Sequence, residues 1–410
     1  MNSTYRQVKH SGVAAIALTI LAAVILLAGI AIPAQAQTET VLYSFKGSPS
    51  GGPDGAFPDA GPLLKGTTLY GTTSQGGSAG NGTVWSVSAT TGKETILYSF
   101  QGEPNDAWFP YGGLAYYKGS FYGTTVNGPS GPGGGIGTVF KISKSGKKYV
   151  ETLLHVFTGP PDGFSPLYVT PVFDKQGNLY GTTSGGGEPG NGTVFKLAPG
   201  GTETVIHNFN CNDDGCNPES GVTLDKKGNL YGTTASGGTY GYGVLYEITA
   251  AGNYSVLYNF TGEDDGAMPY SPPVLDKKGN LYGTTEQQKP GISGYGTVYK
   301  FAPKTSQMTI LHTFSGYPDD GGRPWAGALV FDKEGNLYGT TSSGGYGACG
   351  GVGTIYRLAP DGTESILYNF NCTDGQDPLG GVVFDKSGNL YTTTYAGGAD
   401  SGGAVVKLTP

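Results

Sequence analysis

The sequence predicts an all-β fold, a seven-bladed β-propeller with four antiparallel strands per blade. Three observations carry this expectation: one short segment recurs seven times, each repeat holds four strand-like runs, and the two chain ends supply complementary parts of one repeat. A fixed period of about 40–50 residues marks propellers and related arrays.

The recurring segment is Leu-Tyr-Gly-Thr-Thr or a near variant, with its tyrosine at Tyr70, Tyr122, Tyr180, Tyr231, Tyr282, Tyr338 and Tyr391, 51 to 58 residues apart. Around Tyr338 the runs rich in β-branched and aromatic residues are Gly327–Asp332, Asn336–Thr341, Gly353–Leu358 and Glu364–Phe370, named here A, B, C and D. Clusters of Gly, Pro, Asn and Asp separate them, as turns separate strands. In the last five repeats A and B are joined by Asp-Lys-x-Gly-Asn, as at Asp174–Asn178, whose Gly suits a tight hairpin. Alternation along Asn178–Thr183 puts Leu179 and Gly181 on one face and Tyr180 and Thr182 on the other. The Gly is expected to admit a neighbouring sheet at close range; in the last repeat Thr392 stands in its place.

The chain ends specify closure. Strand C occurs seven times, the last being Gly403–Leu408, and no D strand follows it. A D strand instead opens the repeat region at Glu39–Phe45. Closing phenylalanines Phe45, Phe100, Phe157, Phe209, Phe260, Phe314 and Phe370 count seven D strands. The N-terminal strand 39–45 is therefore expected to complete the last blade, leaving no open end.

Composition agrees with a turn-rich core protein: 74 of 410 residues are Gly, beside 28 Tyr and 17 Phe. Arg6, Lys9 and His10 precede an apolar run from Gly12 to Ile32 and the small-residue site Ala34-Gln35-Ala36. That order reads as a secretory signal over 1–36, leaving a single domain, 37–410. The run is also long enough to span a bilayer, so an uncleaved N-terminal anchor is the alternative and the one expected membrane contact. The expected location is extracellular, periplasmic or cell-envelope, and the expected state is monomeric. Without residues 1–36 the chain keeps 22 of its 24 basic residues and all 31 acidic ones, which disfavours nucleic acid as a partner.

Units such as Gly177-Asn178-Leu179-Tyr180-Gly181-Thr182-Thr183-Ser184-Gly185-Gly186-Gly187, followed by Gly192-Thr193-Val194-Phe195-Lys196-Leu197, resemble the GloVer repeat of exported bacterial tandem-repeat proteins with varied anchors. The resemblance covers roughly residues 39–410. It implies export and a propeller-like fold, and it brings no catalytic residues or cofactor. The chain departs from that pattern in ending at Pro410 without a sorting or anchoring tail, which puts surface attachment in doubt.

Strand directions put the long D-to-A and B-to-C loops on one face and the tight turns on the other, so a site is expected on the long-loop face. Each D-to-A loop carries Asp-x-x-x-Pro, with Asp54, Asp106, Asp162, Asp214, Asp265, Asp320 and Asp374. A feature of every blade is read as scaffold, the Asp bonding backbone N–H groups two residues on; a ring of Ca²⁺ ligands is the alternative. His155, His207 and His312 replace tyrosines of strand D in three separate blades, so no shared metal site is expected of them. Cys211 and Cys216 share one loop, while Cys349 precedes Cys372 on the same expected face. The expected disulfides are Cys211–Cys216 and Cys349–Cys372, with zinc binding as the alternative.

Departures from the repeat remain for function. Trp108, Phe109, Arg323, Trp325 and Tyr346 decorate long loops and are the candidate ligand contacts, for a polysaccharide, an envelope component or a protein. Packing of these aromatics on adjacent loops is the alternative. Asp377, Glu219 and Glu286 lie far apart in sequence and make no evident acid–base pair. The sequence thus points to a non-catalytic binding module without metal or other cofactor, with a propeller-type lyase or hydrolase as the other reading.

Overall fold

The computed structural model of the chain describes residues 37–47, 52–129, 135–288, 294–347 and 349–410; the signal segment expected at 1–36 lies outside them. All regular elements among the described residues are strands, and Glu39–Thr409 form one compact unit. Seven four-stranded antiparallel sheets make up a seven-bladed β-propeller. Blade 1 runs A to D as Leu63–Lys65, Thr68–Thr73, Thr83–Ser88 and Glu94–Ser99. In blade 7 the opening strand Thr38–Ser44 lies beside Ala404–Thr409, followed inward by Leu390–Thr394 and Val383–Phe384. The ring closes as expected, and Phe45 N donates to Gly403 O at 2.9 Å.

Each letter of Leu-Tyr-Gly-Thr-Thr has a task. Leu69, Leu179, Leu230, Leu281, Leu337 and Leu390 are buried in the layers between blades. In four blades the strand B tyrosine hydroxyl donates to the turn aspartate six residues earlier, as Tyr180 does to Asp174 at 3.0 Å, whereas Tyr231 donates to Glu247 at 2.9 Å. The first Thr donates across the junction to a backbone carbonyl at the start of the next A strand: Thr72 to Gly112, Thr182 to Ser220, Thr233 to Ser271, Thr340 to Gly380. Across the closure Thr393 does the same to Ala60, at 2.8 Å. In five blades the second Thr bonds the Thr that opens strand C, as Thr73 does Thr83 at 2.8 Å, and in the other two Thr234 and Thr394 accept from the backbone N–H of Val244 and Ala404. These seams draw the inner segments toward the axis, and strand A shortens to two paired residues in five blades, such as Val330–Phe331.

The Gly of this segment serves a different neighbour from the one expected. It does not admit another sheet; it makes room for the large ring directly opposite on strand C of its own blade. Gly71 faces Trp85, Gly123 Phe140, Gly181 Phe195, Gly232 Tyr246, Gly283 Tyr299 and Gly339 Tyr356. A Cβ on Gly283 would stand 2.4 Å from the Tyr299 hydroxyl oxygen. Blade 7 confirms the rule by reversing it: Thr392 takes the Gly place and the small Val406 takes the ring place. Gly283→Thr is expected to cost about 1–3 kcal/mol through overpacking. In a denaturant titration the double variant G283T/Y299V, which copies blade 7, should lose less than the two single losses summed; simple additivity would defeat this account.

The D-strand phenylalanines lie between blades, all from Phe45 to Phe370 at 0–2% exposure. Both expected disulfides are formed, Cys211–Cys216 and Cys349–Cys372, each tying down a long loop.

Candidate functional site

The long loops do share one face. In every blade the D-to-A loop pairs with the B-to-C loop, as Gly55–Ala56 with Gln75–Gly76 or Gln376 with Ala396. This face divides into a peripheral ring that holds blades together and a central mouth over the axis.

The seven loop aspartates belong to the peripheral ring. Asp54 Oδ2 accepts from Tyr43 Oη at 2.7 Å and from Lys46 N at 2.8 Å, while Oδ1 accepts from Gly55 N at 2.7 Å. The carboxylate therefore clasps the loop from behind and from the next residue, rather than from two residues on as expected. Where the tyrosine is replaced, histidine makes the same contact: His155 with Asp162, His207 with Asp214 and His312 with Asp320, each at 3.1 Å. Burial works against ionisation of Asp162 and Asp320, yet the histidine and backbone hydrogen bonds hold both below the usual carboxylate range. A glutamate from the next blade completes five of these junctions, namely Glu94 toward Asp54, Glu151 toward Asp106, Glu203 toward Asp162, Glu364 toward Asp320 and Glu39 toward Asp374. One oxygen of each glutamate is buried without a partner. Burial first, and the facing aspartate second, push Glu39, Glu94 and Glu364 up to about 7 and Glu151 to about 9. At two junctions, His155, Asp162, Glu203 and His312, Asp320, Glu364, three ligand-type atoms come within 4.8 Å of one another, a gathering inside single junctions that the comparison of separate blades did not foresee.

The mouth is built from what the repeat varies. Within Asp-x-x-x-Pro the prolines are all buried, most against the Gly that opens strand C of the preceding blade, as Pro110 is on Gly82. The residue before the proline is never Gly, yet it is left-handed in all seven blades: Phe57, Phe109, Ser165, Asn217, Met268, Arg323 and Asp377, with φ between 52° and 60°. Such backbone costs about 1–3 kcal/mol per residue and persists only when its surroundings enforce it. Here two hydrogen bonds do so. Phe109 N donates to Asn81 O at 3.0 Å in the preceding blade, and Val126 N donates to Phe109 O at 3.1 Å; the other six positions repeat the pattern.

The residue after the proline is equally varied: Asp59, Tyr111, Leu167, Glu219, Tyr270, Trp325 and Leu379, with Tyr168 beside Leu167. These side chains meet over the axis. Trp325 stacks on Tyr270 with ring centres 4.8 Å apart and meets Tyr168 edge-on at 6.2 Å; Tyr168 lies 6.0 Å from Tyr111, itself 6.4 Å from Phe109. Beneath them a cavity of about 320 Å³ enters the axis, lined by Asp59, Tyr168, Thr170, Leu114 and the Gly-rich A segments. Asp59 is 3% exposed and its Oδ2 has no hydrogen-bond partner. Burial pushes its carboxyl up to about 7, and a hydrogen bond with Ser74 offsets only part of that. Glu219 and Asp377 are raised by burial, as is Glu286, whose rise Arg323 opposes. The Tyr168 hydroxyl is raised by burial and then by the charges of Asp59 and Glu219, Tyr270 by burial and then Glu219 and Glu286, and Tyr395 by burial and then Asp59 and Asp377.

The carboxyls that looked scattered in sequence are thus gathered by the ring, because residues about fifty apart come to equivalent places around one axis. Of the five candidate contacts, Phe109, Arg323 and Trp325 flank the mouth prolines. Trp108 lies one residue outward in the loop pairing, bridged to Asn127. Tyr346 is 75% exposed, and its N–H donates to Asn369 on the outermost strand, far from the axis. Sequence reasoning passed over Asp59 and Tyr270; the signal that could have found them is variation immediately after a proline that all seven repeats keep.

The chain is accordingly a closed tandem-repeat propeller, in which the positions common to all repeats build blades and the varied ones collect at one mouth. It belongs to the Gloeobacter/Verrucomicrobia repeat family, whose model matches residues 30–170, 130–352 and 273–410. A search of the curated proteins finds no match. Among solved structures it is similar in fold to the extracellular domain of a candidate hybrid two-component system of B. thetaiotaomicron, with 12% identity and a TM-score of 0.57 over 90% of this chain and 39% of that one. A second structure described as the extracellular domain of a candidate one-component system of that organism matches at 12% and 0.54, over 91% and 40%. The chain thus spans about two fifths of the length of these first matches. A candidate 6-phosphogluconolactonase from Bacteroides uniformis matches at 14% identity and a TM-score of 0.51, over 82% of this chain and 89% of that one.

Proposed function

We propose that this protein is an exported, non-catalytic binding module that takes a glycan at the mouth of its propeller. The observation that carries this reading is the division of labour inside Asp-x-x-x-Pro: the backbone is held in the same strained form seven times, while the side chains on either side of the proline differ from blade to blade. A device repeated for structure alone has no use for that variety. What it collects, Tyr111, Tyr168, Tyr270 and Trp325 above a mainly apolar cavity into which Asp59 and Thr170 bring polar groups, matches the apolar faces and hydroxyls of sugar rings. The two disulfides suit an oxidising, extracytoplasmic compartment.

The catalytic alternative asks for two carboxyls whose surroundings push their protonation apart. At this mouth Asp59, Glu219, Glu286 and Asp377 all move in one direction, upward. A glycan array probed with residues 37–410 tests the proposal. Binding should appear, and Trp325→Ala should weaken it by about thirtyfold or more, the scale of a buried aromatic anchor. Binding untouched by Trp325→Ala and by Tyr168→Ala would remove the mouth from consideration. Turnover of a bound glycan, lost with one carboxyl, would favour the enzyme.

A further inference from the structure

We propose that the glycan recognised at this mouth carries a positively charged amine, the chemistry of a deacetylated amino sugar. This rests on reading the mouth as a binding site and names the class of its ligand.

Asp59 is the starting point. It sits almost wholly inside the protein, borders the axial cavity, and leaves Oδ2 without a hydrogen-bond partner. An isolated buried carboxylate is strongly disfavoured unless a cation or donors meet it. Among the described residues no Lys, Arg or His lines this cavity, and Arg323 at the rim acts on Glu286, whose rise by burial it opposes. The groups facing Asp59 are the hydroxyls of Tyr111, Tyr168 and Tyr395 and the Ser74 side chain. The charge of Glu219 bears on Tyr168 and Tyr270.

The cavity side of the mouth therefore combines electron-rich ring faces with the Asp59 carboxyl and no cation in its lining, while Arg323 at the rim faces Glu286. An anionic sugar would meet repulsion from Asp59, Glu219 and Asp377. A neutral sugar could stack on Trp325 and Tyr270 but would leave Asp59 needing its proton. An ammonium group satisfies both features at once, attracted to the ring faces and to the carboxylate. Asp59 would then lose its proton to solvent as the complex forms, because a neighbouring cation favours the charged form.

The test is titration calorimetry on residues 37–410 at about pH 6, where the free amine already carries its charge and Asp59 still holds its proton, comparing a glucosamine tetramer with an N-acetylglucosamine tetramer in two buffers of different ionisation enthalpy. The amine tetramer should bind about tenfold tighter or better, lose affinity as salt rises, and release protons on binding. Asp59→Asn should remove most of that preference and the proton release, and a cooperative unfolding transition like that of the parent chain reports that the variant remains folded. Equal or tighter binding of the acetylated tetramer overturns the amine assignment and leaves the mouth as a glycan site. Failure of both tetramers also overturns it, whereas the mouth itself stands or falls on the array result with Trp325→Ala.

Discussion

A chain beginning at residue 46 is expected to show no cooperative unfolding transition, although it lacks only one edge strand of one blade. Thr38–Ser44 is the outer strand of blade 7, and the residue that follows it, Phe45, is fully buried with Leu69, Trp85, Val87, Tyr391 and Val405. That cluster joins the first and last blades, so the missing strand opens the ring at its seam. The loss includes the Phe45 side chain, about 3–5 kcal/mol by itself. It also includes the Tyr43–Asp54 hydrogen bond and the pairing with Ala404–Thr409. Against a total stability of about 5–15 kcal/mol the ring cannot absorb this. The full-length Phe45→Ala variant should fold, with a denaturant midpoint lowered in proportion to that side chain alone. A truncated chain with a native midpoint would show that closure at the N-terminal strand does not hold the propeller.

Stability should fall as pH rises from about 5 toward 9, the reverse of the usual acid sensitivity. Glu39, Glu94 and Glu364 stand at about 7 and Glu151 at about 9, all raised from an ordinary 4.5. A carboxyl raised in the folded state contributes stability that is complete below 4.5 and is lost as pH climbs through its folded value. These groups are partly open to solvent, and discounted for that each is worth on the order of 1 kcal/mol. His207, lowered chiefly by burial, works in the opposite sense but is a single group. Asp162 and Asp320, held low mainly by their histidine partners against burial, add stability that disappears only below the ordinary 3.8. Denaturant titrations at pH 5, 7 and 9 should therefore give a descending series, and Glu151→Gln should flatten its upper part. A rise between pH 5 and 8 would contradict the junction carboxyls as drawn here.

The two expectations draw on different kinds of information. Seven D strands counted against seven C strands already placed Glu39–Phe45 beside Gly403–Leu408, and the cysteine positions already paired Cys349 with Cys372. Strand order, hairpin turns and the buried Phe of each D strand are local patterns, each written within about ten residues and restated every blade. The Gly of strand B was legible as a close approach but not for its partner, since Gly283 and Tyr299 are joined by the register of two strands. Histidine and tyrosine on strand D could be aligned by eye, whereas the glutamate that meets their aspartate comes from the next blade.

The sequence by itself determined the ring: its seven blades, its seam and its disulfides, because repetition leaves the same hydrophobic and turn pattern in each unit. Only the tertiary structure decided what faces the axis. Asp59, Tyr168, Glu219 and Trp325 belong to different repeats, and no periodic signal links residues that vary from repeat to repeat. Closure brings them within reach of one another, since sevenfold geometry carries equivalent loop positions to one mouth, and burial there sets the charge that each can hold.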